Sequence, residues 1–148
     1  MSTRIRPPMV QQNLINSCWA AVLESWSRVD ARVGGGALRQ QELITRWGEG
    51  PTGGITPATK IPVIAAALGL QMPQARFRYV TAFLESTLRT SHVFCVYFDS
   101  HSGFMHTVLV YSVENGRITA MDPNVGPARC WASADFEAYG SYNVLYKA

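Results

Sequence analysis

Three residue types with the reach to do covalent chemistry stand out in this chain: a cysteine at position 18, a histidine at 106 and an aspartate at 122. Cys18 follows the stretch Gln11-Gln12-Asn13-Leu14-Ile15-Asn16-Ser17 and precedes Trp19-Ala20-Ala21. Trp19, Val22, Leu23 and Trp26 then recur at helical spacing, so the pattern predicts a helix over 18–29 with Ser17 as its N-cap. A thiol at a helix N-terminus meets unpaired backbone N–H groups and the positive end of the helix dipole. Both favour the thiolate, which is the nucleophilic form.

A thiolate needs an imidazole partner, and the imidazole needs an orienting side chain. His106 opens the β-rich stretch His106-Thr107-Val108-Leu109-Val110-Tyr111, and Asp122 comes sixteen residues later. Asn115-Gly116 between them is a hairpin signal. Counting outward from that turn predicts that 106 and 122 lie close to opposite each other, at the open end of the ladder. Gln12, six residues before Cys18, is close enough along the chain to fold back as a hydrogen-bond donor to a developing oxyanion. Gln11, Asn13 and Asn16 are alternatives for that role. His92 and His101 rank behind His106 as bases, since neither has an acid matched to it. Cys95, between Phe94 and Val96, reads as structural, and Cys130 has no matched partners.

These residues resemble the active-site motifs of papain-like cysteine peptidases. The resemblance is greatest to compact bacterial members, namely effector proteases and the peptidase domains that process bacteriocin leaders. The shared pattern is a Q-x5-C-W start (Gln12 to Trp19), an H-x-V-x-V strand (His106 to Val110) and a D-P-x-x-G segment (Asp122 to Gly126). The resemblance implies Cys18 as nucleophile, His106 as base and acid, Asp122 as orienting group and Gln12 as oxyanion donor. It covers residues 10–29 and 91–127; the middle matches only in its order of helices. Asn16-Ser17 stands where papain has Gly-Ser, Asp122 where papain has Asn, and His106 lies only 88 residues after Cys18. Trimmed substrate-binding loops follow from that spacing.

The elements that must position these groups read as α+β. Residues 1–10 are an extended arm. Helices are expected at 38–47, 59–68 with Pro62 in the first turn, and 81–89. Gly34-Gly35-Gly36 reads as a flexible loop, and 48–56, with four glycines and a proline, as a plain loop rather than a phosphate cradle. Alternation of Phe77 and Tyr79 with Arg76 and Arg78 predicts a strand over 70–80. Strands follow at 92–98, 104–113, 117–121, 128–131 and 142–146, with a helical turn at 133–139 capped by Ser133.

The chain of 148 residues is long enough for one domain with a real core, so 1–148 reads as a single papain-like domain. A hydrophobic share of 47% with 16% charged residues excludes disorder. The net charge of +3 comes from scattered basic residues, which argues against a nucleic-acid partner. Three widely spaced cysteines form no disulfide framework, and no CxxC or HxxxH pair points to a metal or other cofactor. No stretch has signal-peptide or transmembrane length, so a soluble protein with no membrane partner is expected. The resemblance implies a protein or peptide substrate and a secreted toxin or effector active in a target cell, with a cognate immunity protein as partner. A peptidoglycan amidase, a deamidating or transglutaminase-like toxin and a non-catalytic peptide-binding module remain as alternatives.

Overall fold

Nine apolar or aromatic side chains on two adjacent strands explain most of the architecture, because they point alternately to two different cores. The computed structural model describes residues 2–73, 77–140 and 142–148. Within it, helix α1 (Cys18–Val29), α2 (Gln40–Trp47), α3 (Pro57–Leu68), α4 (Thr81–Thr87) and α5 (Ser133–Glu137) accompany strands β1 (Ser2–Thr3), β2 (Val93–Asp99), β3 (Phe104–Glu114), β4 (Arg117–Asp122), β5 (Gly126–Ala132) and β6 (Tyr142–Tyr146). The strands form one sheet in the order β5-β4-β3-β2-β6, with β1 paired to the far end of β3, and every pairing is antiparallel.

On β2 and β3, Phe94, Val96 and Leu109 face the core built from α1, α2 and α3, where Trp19, Leu23, Trp26, Ile61 and Ile64 are buried. Val93, Cys95, Tyr97, Val108, Val110 and Val113 face the opposite core, closed by Leu84 and Leu88 beside α4 and by Phe136 of α5. Strands covered on both faces read as continuous apolar runs, which is how 93–97 and 108–111 appear. Each large side chain removed from water here contributes about 1.5–3 kcal/mol, so the two cores hold the sheet as a rigid frame.

Several expectations change. The glycines at 34–36 form a 3₁₀ turn with positive φ throughout, not an open loop. Helix α3 starts at Pro57, so Pro57 takes the first turn and Pro62 lies inside the helix. Ser133 lies within α5, with Ala132 as its N-cap, and the Ser133 hydroxyl has no partner. The strand expected over 70–80 is reduced to isolated bridges at Gln71 and Phe77; Pro73 has no N–H for a ladder, and 74–76 lie outside the described residues.

The hairpin between β3 and β4 departs from a simple count. Asn115 and Gly116 both have positive φ, as a two-residue turn of this type requires. Glu114 pairs with Arg117 and Ser112 with Thr119, but Val110 then pairs with Ala120. Tyr111 is thus the extra residue of a β-bulge. An unbulged ladder would set Asp122 against Leu109, on the face away from His106. The bulge moves the register by one, sets Asp122 against Val108 and brings it onto the face of His106, two residues along. The two groups are diagonal neighbours rather than directly opposed.

Candidate active site

Cys18 is the first residue of α1 and is almost fully buried, with 6% of its surface exposed. The segment before it is folded by side-chain hydrogen bonds rather than by helix capping. Ser17 makes no cap hydrogen bond. Its hydroxyl accepts from the Leu14 N–H at 3.0 Å and lies 3.1 Å from the Leu14 carbonyl and 2.8 Å from Gln40 Oε1. Gln40 is the hub: its Oε1 also accepts from the Asn13 N–H at 2.7 Å, and its Nε2 donates to the Gln11 carbonyl at 3.0 Å. The backbone N–H of Gln40 donates to Glu24 of α1 at 2.7 Å. One buried amide therefore pins both ends of the loop that carries Gln12 and delivers Cys18. Nothing in the local sequence marks Gln40, which lies 22 residues downstream of Cys18.

The glycine-bearing segment 48–56 docks on the same loop. Asn16 donates its N–H to the Thr52 carbonyl at 3.0 Å, and Trp19 Nε1 donates to the Gly53 carbonyl at 2.8 Å. Gly53 has φ +71°, and a Cβ there would meet Leu14 at 2.8 Å, so close approach requires glycine.

His106 reaches Cys18 from β3. Its Nε2 donates to Asp122 Oδ1 at 2.9 Å, leaving the other ring nitrogen for the neighbouring Cys18 side chain. The ring stands edge-on to Tyr97, its register partner on β2, at 5.7 Å between centroids. Burial alone pulls the imidazole pKa down, but hydrogen bonds to Asp122 and Cys18 and the charge of both outweigh it, and the pKa is raised to about 9. His106 is thus cationic through neutral pH. Asp122 is fully buried. Burial pushes its pKa up, yet His106, Arg129 and the Asn124 N–H together hold it below the ordinary carboxylate value. Asn124 N donates to Oδ1 at 2.9 Å, and Arg129 Nη1 donates to Oδ2 at 2.7 Å.

Three of the four expected site residues therefore meet in one line, Cys18–His106–Asp122. Gln12 lines the same cavity, about 450 Å³ in volume, together with Asn16, Cys18, His106, Asn124 and Arg129. The Gln12 amide donates to the Leu14 carbonyl at 3.1 Å and the Ile15 carbonyl at 2.7 Å, and its Oε1 is buried without a partner. A second cavity of about 300 Å³ opens on the other side of Cys18, walled by Ile55, Pro57, Val96, Phe98 and Phe104. The competing histidines lie elsewhere. His92 is buried under the N-terminal arm, with its Nε2 2.7 Å from the Ile5 carbonyl, and His101 is exposed in the 99–103 turn. Cys95 is buried mid-strand, where burial pushes its thiol pKa far up. Cys130 is exposed and accepts from Arg117 at 3.2 Å. Among the described residues no cluster of three or more His, Cys, Asp or Glu could hold a metal ion.

Arg129 was not among the residues that the sequence singled out. Its only signal is position: it pairs with Ala120, two residues before Asp122 on the adjacent strand, and so shares the carboxylate's face.

Comparison with solved structures places this architecture. The peptidase domain of Streptococcus ComA, a bifunctional ABC transporter involved in quorum sensing, superposes with a TM-score of 0.67 at 18% identity, covering 95% of this chain and 98% of that one. A double-glycine-motif protease from an AMS/PCAT transporter, solved in complex with its leader peptide, gives 0.66 at 18% identity, covering 98% and 94%. The fold is therefore the α+β fold of papain-like cysteine peptidase domains. No protein-family model matches the chain, and no curated protein matches it.

Proposed function

We propose that this chain is a cysteine peptidase in which Cys18, His106 and Asp122 act as a triad. The observation that carries the reading is a buried helix-terminal thiol sharing a cavity with a cationic imidazole that is hydrogen-bonded to a buried carboxylate. The Cys18 thiolate attacks the carbonyl carbon of a peptide bond, and the carbonyl π electrons move to oxygen. The backbone N–H of Cys18, free at the helix start, faces that charge. Gln12 adds a second donor once one of its bonds to the Leu14 and Ile15 carbonyls is released. His106 then gives its proton to the departing amine as the C–N bond breaks, leaving an acyl-enzyme. Water, deprotonated by His106, displaces the sulfur and frees the carboxylic acid.

The substrate class we favour is a leader-type peptide, supported by the neighbour solved with one. The two cavities flanking Cys18, one apolar and one polar, suit an extended segment running across the thiol. The effector setting with an immunity partner has no comparable support. Among the described residues no helix is long and apolar enough to cross a membrane.

The test is digestion of a peptide library, read by mass spectrometry, with Cys18→Ala as control. Hydrolysis by the parent that vanishes in a Cys18→Ala variant of unchanged melting temperature supports the reading. Deamidated glutamine in uncut peptides would move it to a deamidase, and no reaction with an inert Cys18 thiol would move it to a binding module.

A further inference from the structure

The two oxygens of Asp122 face two different cations. Among the described residues, Oδ1 serves His106 and the Asn124 N–H, while Oδ2 serves Arg129. Arg129 is itself gripped: its Nη2 donates to the Tyr139 hydroxyl at 3.3 Å, and its guanidinium lies 4.5 Å over the Trp131 ring. Trp131 and Arg129 are alternate residues of β5, so they project from the same face. A cation held on two sides keeps its charge against Oδ2 and so holds the carboxylate in place.

We propose that Arg129 is the positioning residue of the triad, locking the Asp122 carboxylate so that Oδ1 faces His106 and sharing its negative charge with the imidazolium. This rests on the peptidase reading above. The sharing has a chemical use. In each turnover His106 must release a proton to the leaving amine. A buried carboxylate with imidazolium as its sole counter-ion would hold that proton too tightly, and a second cation on Oδ2 weakens that hold. The charged and titratable groups around His106 are Cys18 from α1, Tyr97 and Asp99 from β2, Asp122 from β4 and Arg129 from β5.

Arg129→Gln and Arg129→Lys test this in the full chain. Gln removes the charge and Lys keeps it. The first readout is histidine-selective ¹⁵N NMR titration of His106, which needs no substrate; the second is kcat and KM on a cleaved peptide. In Arg129→Gln the His106 midpoint rises above the parent's and kcat falls about 10- to 100-fold with KM little changed, the range for losing one charge-assisted hydrogen bond. Arg129→Lys restores the parent midpoint and most of kcat. An unchanged midpoint and kcat in Arg129→Gln overturns the proposal, as does equal loss in both variants with no shift of the midpoint, which marks packing alone. If Arg129→Gln fails to fold, Arg129→Lys decides: a parent-like midpoint with most of kcat kept supports the proposal, and a collapse of kcat overturns it. A parent that cuts no peptide while its His106 midpoint still rises in Arg129→Gln refutes the peptidase reading and leaves the positioning role standing.

Discussion

Replacing Asp122 by Asn removes one charge from the site and little volume, so its effect can be worked from the structure. Asp122 supplies His106 with both a hydrogen-bond acceptor and a negative charge, and with Cys18 it lifts the imidazole from 6.5 to about 9. At pH 7.5 a group with pKa 9 is about 97% charged, whereas one at 6.5 is about 9% charged. In Asp122→Asn burial still pulls the His106 pKa down and only Cys18 still raises it, so the midpoint drops from about 9 toward 6.5 and the cationic fraction at pH 7.5 falls, by up to about tenfold at the lower value. The interval between the two values corresponds to about 3 kcal/mol of interaction. Arg129 also loses its buried partner, and breaking a buried pair in this way costs about 3–5 kcal/mol, toward the low end here because its side chain is 26% exposed. The assay is ¹⁵N NMR titration of His106, with chemical denaturation run alongside. A midpoint well below the parent's is expected, with stability lowered by about 3 kcal/mol. A His106 midpoint that stays near 9 in Asp122→Asn would refute the argument that the carboxylate sets it.

Further outcomes follow from the same geometry. His106 has a raised folded pKa, so its stabilisation is complete below about pH 6.5 and is lost as pH rises through about 9. His92 has a depressed one, from burial, so the unfolded chain takes up its proton first and stability falls as pH drops below about 6.5. Asp122, also depressed, adds a loss at lower pH still. The melting temperature should therefore peak near pH 6.5, and His106→Gln should flatten the alkaline side; calorimetry across pH checks both. Gln40→Met keeps volume but strands the Asn13 N–H and the Gln11 carbonyl, at a cost of about 2–4 kcal/mol in urea unfolding, with slower alkylation of Cys18. Equal alkylation in that variant would show that the loop holds its shape without the clamp.

Much of the site was legible because its chemistry depends on residue type and order. A cysteine at the start of an amphipathic helix, a histidine opening a strand and an aspartate closing the next one are all local signals. Their meeting was harder to read. The count from Asn115-Gly116 placed His106 and Asp122 together, yet only the bulge at Tyr111 puts them on one face, and nothing in Val110-Tyr111-Ser112 announces it. Gln40 and Arg129 escaped for a related reason. A polar side chain acquires its role from a tertiary partner, and Gln40 meets Ser17 across 23 residues while Arg129 meets Asp122 across a hairpin. Ser17 shows the converse. Its type and position fit an N-cap, but its hydroxyl oxygen accepts from the Leu14 N–H in place of the helix N–H groups, and the hydroxyl faces Gln40 Oε1. The segment 48–56 read as a plain loop from composition, whereas its docking on Asn16 and Trp19 makes it a wall of the cleft.

The central claim is that Cys18 works with His106 as a nucleophile, and site-resolved alkylation by iodoacetamide tests it most directly. Rates at Cys18 and Cys130 are followed by mass spectrometry from about pH 5 to 9, spanning the range where His106 is cationic in the fold. Buried Cys95 serves as the unreactive control and exposed Cys130, whose thiol is held below the ordinary value by Thr119 and Arg117, as the reactive reference outside the site. The account predicts fast Cys18 alkylation that persists well below neutral pH in the parent and disappears in His106→Ala, while Cys130 is unaffected. Cys18 reacting at the same rate in both proteins at every pH would contradict it.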